Sequence, residues 1–289
     1  MSTFSLKFWG TRGSIPAPGI ATVRYGGNTS CVELRHKNSL FILDAGTGIR
    51  LLGDELLAKS KGKPIRGSLF VTHTHWDHIQ GFPFFVPGYL KGNHFLIHGA
   101  HGMGRSFEEV FKGLMDSSYF PVNLGDMQAK LDFVEMAGQP YVCEGVKVET
   151  AYTNHPGMDV GYRFTVENKS ITYLTDHESY QTMNQKTEFA RKQDKIIEEF
   201  CRGTDLLICD SQYTDEEYKS KRGWGHSRYR DSVQLAVEAG AARLALFHHD
   251  PSHADDQMEE ILKDAQRMIK ESGKKIECFL AKEGLELQI

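Results

Sequence analysis

The sequence predicts an α/β protein, a four-layer αβ/βα sandwich that takes residues 1–289 as a single domain. Three observations support this. Runs that read as short strands come first and helical runs follow, and this order occurs twice along the chain. The hydrophobic spacing switches from strand-like to helical at defined points, as between Gly46 and Ser60. No linker, low-complexity stretch or short repeat interrupts the 289 residues, and 40% of them are hydrophobic, enough to fill a full core.

FSLKFWG, SCVELR and LFILD read as strands, separated by the Gly/Pro-rich GSIPAPG and the turn-like HKNS. GTGIRLLGDELLAKS then places Ile49, Leu52, Leu56 and Leu57 on one side of a helix. SLFVTH is a buried strand. From Gly81 to about Gln128 the chain is loop-rich, helical and dense in aromatics such as Phe82, Phe85, Phe111, Tyr119 and Phe120. We expect a cap over residues 82–128. Most of its rings are assigned to helix packing, with Tyr119 and Phe120 the candidates for stacking on a flat base. Strands return at LDFVEM, VKVETAY, YRFTVE and SITYLTD. A helix from Thr187 to Phe200, strand LLICD, helix YRDSVQLAVEAG, strand RLALFH, helix ADDQMEEILKDAQRMIKES and strand KIECFL complete the chain.

A net charge of -4 gives no global pull towards nucleic acid or anionic lipid, so any phosphate must be met by a local site. Five scattered cysteines without a Cys-x-x-Cys pair suggest neither a disulfide framework nor a thiolate zinc site, and fit a reducing cytosol. The first residues lack a basic head followed by an apolar run, and no segment reaches the roughly 18 apolar residues needed to span a bilayer. The expectation is a cytoplasmic protein with no membrane partner.

The stretch VTHTHWDHIQG, Val71 to Gly81, places His73, His75, Asp77 and His78 in a turn after a strand. Imidazole and carboxylate groups converge readily in such a turn, and Zn2+ or Mn2+ favours this N/O donor set. Four ligands exceed what one tetrahedral site with an open water position uses, which implies partners for two ions. Three candidates sit at the ends of strand-like runs: His155 after VKVETAYTN, Asp176 ending SITYLTD and His248 ending RLALFH. His249 is an alternative to His248 that strand alternation does not decide. The cofactors expected are two divalent metal ions, Zn2+ or Mn2+. His94, His98, His101 and His253 lie outside these motifs and are assigned no catalytic role.

With this ligand set, the chain resembles the metallo-β-lactamase fold superfamily along nearly its whole length. The resemblance implies that His73, His75 and His155 hold one ion, that Asp77, His78 and His248 hold the other, and that Asp176 bridges them. Asp176 stands where β-lactamases of the superfamily carry cysteine or serine, and His75 where flavodiiron oxidoreductases carry glutamate. Both departures point to phosphoester hydrolysis by metal-activated water. GWGHSRYRDSVQLAVEAGAARLALFHHD is similar to the ribonuclease Z segment in which Gly-His-Ser/Thr opens a helix before the last ligand's strand. His226 takes the place of the catalytic histidine there, and Asp210 in LLICD that of the acid orienting it. Asp77 joins these two in the catalytic set. An imidazole held by a carboxylate can protonate a departing alkoxide, and a helix starting near Ser227 would aim its amides at the phosphate.

Ribonuclease Z grips precursor tRNA through a protruding arm, and this sequence shows no counterpart. Its longest insert, HESYQTMNQKTEFARKQDKIIEEFCRG, reads as a surface helix of mixed charge. GTRGSIPAPG, YGGNTSCVEL and LDAGTGIRLLG resemble a bacterial branch linked to cyclic nucleotide phosphodiesterases, including phage anti-Pycsar enzymes. Asn28 and Thr29 there are read as structural, and Arg12 as a candidate phosphate contact. The leading expectation is hydrolysis of a small cyclic nucleotide, with no extended nucleic acid as partner. The alternatives are tRNA 3′ processing, lactone or thioester hydrolysis, and nucleotide binding without catalysis. The resemblance also implies a homodimer.

Overall fold

In the computed structural model, the described residues are 4–100, 104–136 and 138–289. Phe4–Gly10 (β1) alternates as a half-buried strand should, with Phe4, Leu6 and Phe8 pointing inward. Cys31–His36 (β2) and Ser39–Leu43 (β3) follow as antiparallel neighbours. Helix Gly48–Ser60 (α1) then crosses to Arg66–Phe70 (β4), which runs parallel to β3. After the short helix Trp76–Ile79 (α2) come His94–Ala100 (β5), helix Phe107–Leu114 (α3) and Lys130–Met136 (β6), the far edge of this first sheet. The second sheet begins with an antiparallel meander of Tyr141–Cys143 (β7), Val146–Tyr152 (β8), Val160–Val166 (β9) and Lys169–Leu174 (β10). Helices Tyr180–Asn184 (α4) and Glu188–Cys201 (α5) lead to Leu206–Asp210 (β11). Asp215–Lys221 (α6) and Tyr229–Ala239 (α7) lead to Arg243–Phe247 (β12), and Asp255–Glu271 (α8) leads to Glu277–Leu280 (β13). The strands β11, β12 and β13 extend β10 in parallel, and Glu286–Gln288 (β14) returns to pair with β1.

Three apolar layers hold this together as the expected sandwich. Phe8, Phe41, Phe70, Phe164 and Phe247 pack between the sheets. Ile49, Leu52, Phe95 and Phe107 join the first sheet to α1 and α3, while Ile197, Val233, Leu246 and Ile261 join the second to α5, α7 and α8. All five cysteines are buried free thiols. Among the described residues no helix is long and apolar enough to cross a membrane.

Residues 82–128 depart from the expected helical cap, because β5 lies within them as an inner strand between β4 and β6. Its outward residues Phe95 and Ile97 are apolar, but His98 takes an inward position and stacks on Phe70 at 4.5 Å, which hides the strand pattern. Phe82, Phe85, Phe107 and Phe111 belong to the outer core, as the packing assignment held. Tyr119 is exposed and Phe120 sits edge-on to Phe84. The mixed-charge insert becomes α4 and α5, and α5 buries Ala190, Ile197 and Cys201 against the sheet. His101 lies outside the described residues.

Candidate metal centre

The residues that follow β3, β4, β8, β10, β11 and β12 meet in one cluster. Asp44, Asp176 and His248 each turn out of their strands with positive φ, 58°, 47° and 57°. That conformation is strained for residues other than glycine and concentrates at functional sites. One group of donor atoms comes from His73, His75 and His155, and a second from Asp77, His78, Asp176 and His248. Asp176 lies between them. Its Oδ2 is 3.6 Å from His73 Nε2 and 3.7 Å from His155 Nε2, while its Oδ1 is 3.2 Å from His78 Nε2 and 3.1 Å from His248 Nε2.

Four of the five imidazoles are oriented by their other nitrogen. His78 Nδ1 donates to Asp44 Oδ2 at 2.8 Å, and that buried carboxylate also accepts the Tyr173 hydroxyl and the Thr72 amide. His248 Nδ1 donates to Gln212 Oε1, and His155 Nδ1 to Gly225 O, both at 2.9 Å. His73 Nδ1 lies 3.1 Å from Thr72 Oγ1 and 3.3 Å from Asp159 Oδ1. Asp77 is pinned by the Ser14 amide at 2.7 Å. Such outer partners set tautomer and direction at metal-binding histidines.

Burial, outweighing the neighbouring carboxylates, pushes His73, His75 and His155 down to about 4. At neutral pH they are uncharged, with lone pairs available for a cation. Burial also opposes charge on Asp77 and Asp176, but the surrounding histidines outweigh it and hold both carboxyls well below their usual range. His73 Nε2 is buried with no hydrogen-bond partner, although it points at Asp176. An orphaned imidazole nitrogen facing a carboxylate, beside the neutral His75 and His155, is the donor set that divalent cations require, and the residues present fit two of them.

Beside this cluster, His226 Nδ1 lies 3.0 Å from Asp210 Oδ2. Burial lowers the basicity of His226, but Asp210 overcomes it and lifts the imidazole to about 9. Adjacent cations would act against that lift. The loop carrying His226 is tied down by Glu178, whose buried carboxylate accepts the Gly223 and Gly225 amides, both at 2.9 Å, and the Tyr218 hydroxyl. Gly225 has φ +87°, and a Cβ there would come within 2.4 Å of the His155 ring.

The structure therefore brings together His73, His75, Asp77, His78, His155, Asp176 and His248, with His226 and Asp210 alongside. His249 is turned away, its Nε2 on the Ala281 carbonyl at 2.9 Å. Two expectations fail. Arg12 is no phosphate contact, since it is wholly buried and donates to the carbonyls of Gly26, Asp250 and His253. Helix α7 starts at Tyr229, as read, but its first amide is not free for a phosphate, being used by Tyr213 O. Asn28 and Thr29 are structural as read, bonded to Glu283 and Thr47. Sequence reasoning missed the orienting groups Asp44, Gln212, Asp159, Glu178 and Gly225 O. Only Asp44, ending LFILD, carried a signal, a carboxylate at the same strand end as the ligands.

Fold and site together define a metallo-β-lactamase-fold hydrolase. The family model described as a beta-lactamase superfamily domain matches residues 40–249, and the chain belongs to that family. It is 25% identical to Ribonuclease Z of Methanosarcina acetivorans, covering 98% of this chain and 97% of that protein. Among solved structures, the metallo-β-lactamase fold protein YhfI of Bacillus subtilis superposes with a TM-score of 0.70 at 20% identity over the whole of both chains. The short form of human tRNase Z does so with a TM-score of 0.64 at 20% identity over 98% of each.

Proposed function

We propose that the chain hydrolyses phosphodiester bonds, with His226 as the proton donor to the leaving oxygen. The observation that carries this is the buried His226–Asp210 pair, 3.0 Å apart, directly beside the seven-ligand cluster. Two divalent cations, Zn2+ or Mn2+, would be held by His73, His75 and His155 and by Asp77, His78 and His248, with Asp176 between them, supplying an acidified water and charge stabilisation of the phosphoryl oxygens. Asp210 fixes the His226 ring through Nδ1 and leaves Nε2 as the nitrogen that gives up a proton. A leaving alkoxide has a high pKa, so a positioned acid is worth about 10²–10⁴-fold in rate. Asp77, held by the Ser14 amide, keeps its carboxylate turned towards His78 and His248.

As to substrate, the full-length likeness to proteins named Ribonuclease Z favours cleavage of an RNA over the cyclic nucleotide put first from sequence, and runs against the expectation of no extended nucleic acid. One observation supports a small diester as the second reading. The cleft over the site is lined by Ser14, Thr74, His75, Trp76, Asp77, Asp176 and His226, with no lysine or arginine among the described residues to meet further phosphates. The test is hydrolysis by the Mn2+- or Zn2+-loaded protein of a precursor tRNA carrying a 3′ trailer and, in parallel, of 2′,3′- and 3′,5′-cyclic mononucleotides, with Asp176→Ala as blank. Trailer removal at low enzyme concentration selects the first reading, and turnover of the cyclic nucleotides alone selects the second. Inertness towards both, with two ions bound, refutes phosphodiester hydrolysis.

A further inference from the structure

The turn that supplies four of the clustered side chains also supplies Trp76, which the metal chemistry does not use. Trp76 is the first residue of α2, and the following Asp77, His78 and Ile79 are all buried. With His75 on one side and Asp77 on the other turned to the cluster, residue 76 is left at the rim, where its side chain is 78% exposed. It lines a cleft of about 440 Å3 together with His75, Asp77, Asp176 and His226. Any polar residue would serve at a position exposed by geometry, yet the chain places its largest flat apolar side chain there.

The other two tryptophans have their faces engaged. Lys7 Nζ lies 4.2 Å from the Trp9 ring, whose Nε1 donates to Glu33, and Lys221 Nζ lies 4.2 Å from the Trp224 ring. No cation lies over Trp76 among the described residues. An open indole face beside a cleft whose described lining holds histidine and aspartate but no lysine or arginine suits a flat, weakly polar ring rather than additional phosphates.

We propose that Trp76 is a stacking platform for the base attached to the scissile phosphate, and so a determinant of specificity for nucleotide-borne esters. This rests on the phosphodiesterase reading, and it deepens both substrate classes considered there, since each carries a base next to the reacting phosphorus. Stacking on one aromatic ring is worth about tenfold or more in affinity and tolerates every base, because each base has a π face. Preference for base identity is correspondingly weak.

The test uses calorimetric binding of AMP and of ribose 5-phosphate to the Zn2+-loaded full chain, for wild type, Trp76→Ala and Trp76→Phe, with metal content and native mass measured on each. We expect wild type to hold AMP roughly tenfold or more tighter than ribose 5-phosphate, the Ala variant to lose that ratio and the Phe variant to keep most of it, with two ions bound throughout. An AMP preference that survives in the Ala variant overturns the proposal, as does its absence in wild type. A fall in native mass in the Ala variant with the preference intact overturns it in favour of a contact between copies of the chain. Because binding is read without turnover, failure of the phosphodiesterase reading, seen as no hydrolysis by metal-loaded wild type, is separately visible.

Discussion

Replacing Asp210 by asparagine removes a charge while keeping the outline of the side chain. Oδ2 of Asp210 faces His226 Nδ1 at 3.0 Å and the His177 amide at 3.1 Å, and Oδ1 faces the Gln212 amide at 3.1 Å. An asparagine offers one oxygen, so its NH2 must confront a donor on one side. The better placement keeps oxygen towards His226 and His177 and leaves the Gln212 amide unpaired, at a cost of about 1–3 kcal/mol in stability. His226 then keeps an acceptor but loses its counter-charge, and charged hydrogen bonds exceed neutral ones by roughly 1–1.5 kcal/mol. That difference corresponds to about tenfold in rate if it acts only on proton donation. The less favourable placement turns NH2 onto His226, with losses approaching the full hundredfold or more of a general acid. The expected kcat of Asp210→Asn is therefore roughly 10- to 100-fold below wild type, with KM within about twofold and metal content unchanged. Steady-state kinetics on bis(p-nitrophenyl) phosphate with metal analysis measures this. An unaltered kcat refutes the positioning argument. Loss of one ion refutes it differently, since Asp210, His226 and His248 also lie close enough to hold a cation.

Gly13→Ala places a Cβ 2.4 Å from the His248 ring, and we expect about 10- to 100-fold weaker binding of one ion with an unchanged far-UV spectrum; equal affinity for both ions argues that His248 is not a ligand. Chelation should lower Tm, because each ion at a hundredfold excess over Kd stabilises the folded state by about 2.7 kcal/mol, or roughly 4–5 °C per ion in a chain of this size; a Tm insensitive to verified metal removal contradicts the site. Burial holds His98 down to about 4, below its usual 6.5, so between those pH values the unfolded chain binds more protons and stability falls as pH falls, by up to roughly 3 kcal/mol. The slope of urea-unfolding free energy against pH across this window should be shallower in His98→Phe, and an identical slope would show that His98 titrates alike in the folded and unfolded states. Glu178→Gln leaves the Gly223 or Gly225 amide unpaired, so we expect a lower kcat and weaker binding at His155, whose Nδ1 relies on Gly225 O; a thermal destabilisation with both quantities unchanged would make Glu178 purely structural.

What the sequence disclosed follows from chemistry that only a few residue types can do. Cation ligation without thiolates draws on imidazole and carboxylate, and seven such groups near strand ends stand out against apolar runs. The partners that aim them do not stand out. Gly225 contributes a carbonyl, which every residue has, and Asp159, Glu178 and Gln212 look like ordinary polar loop residues until the fold sets them against His73, the His226 loop and His248. Strand β5 was hidden because His98 stands at an inward position where an apolar residue was expected, whereas α7 was legible from Tyr229 onward although its cap is Arg228, not a typical capping side chain. The same logic accounts for the backbone. Asp44, Asp176 and His248 lie at positive φ, each at a cost of about 1–3 kcal/mol, where local preference alone would favour glycine or asparagine. Strands that ended without that bend would carry these side chains on along the sheet faces. The bend turns them out of β3, β10 and β12 towards the same strand ends, so three of the positions where local sequence preference and structure disagree lie where the cluster forms.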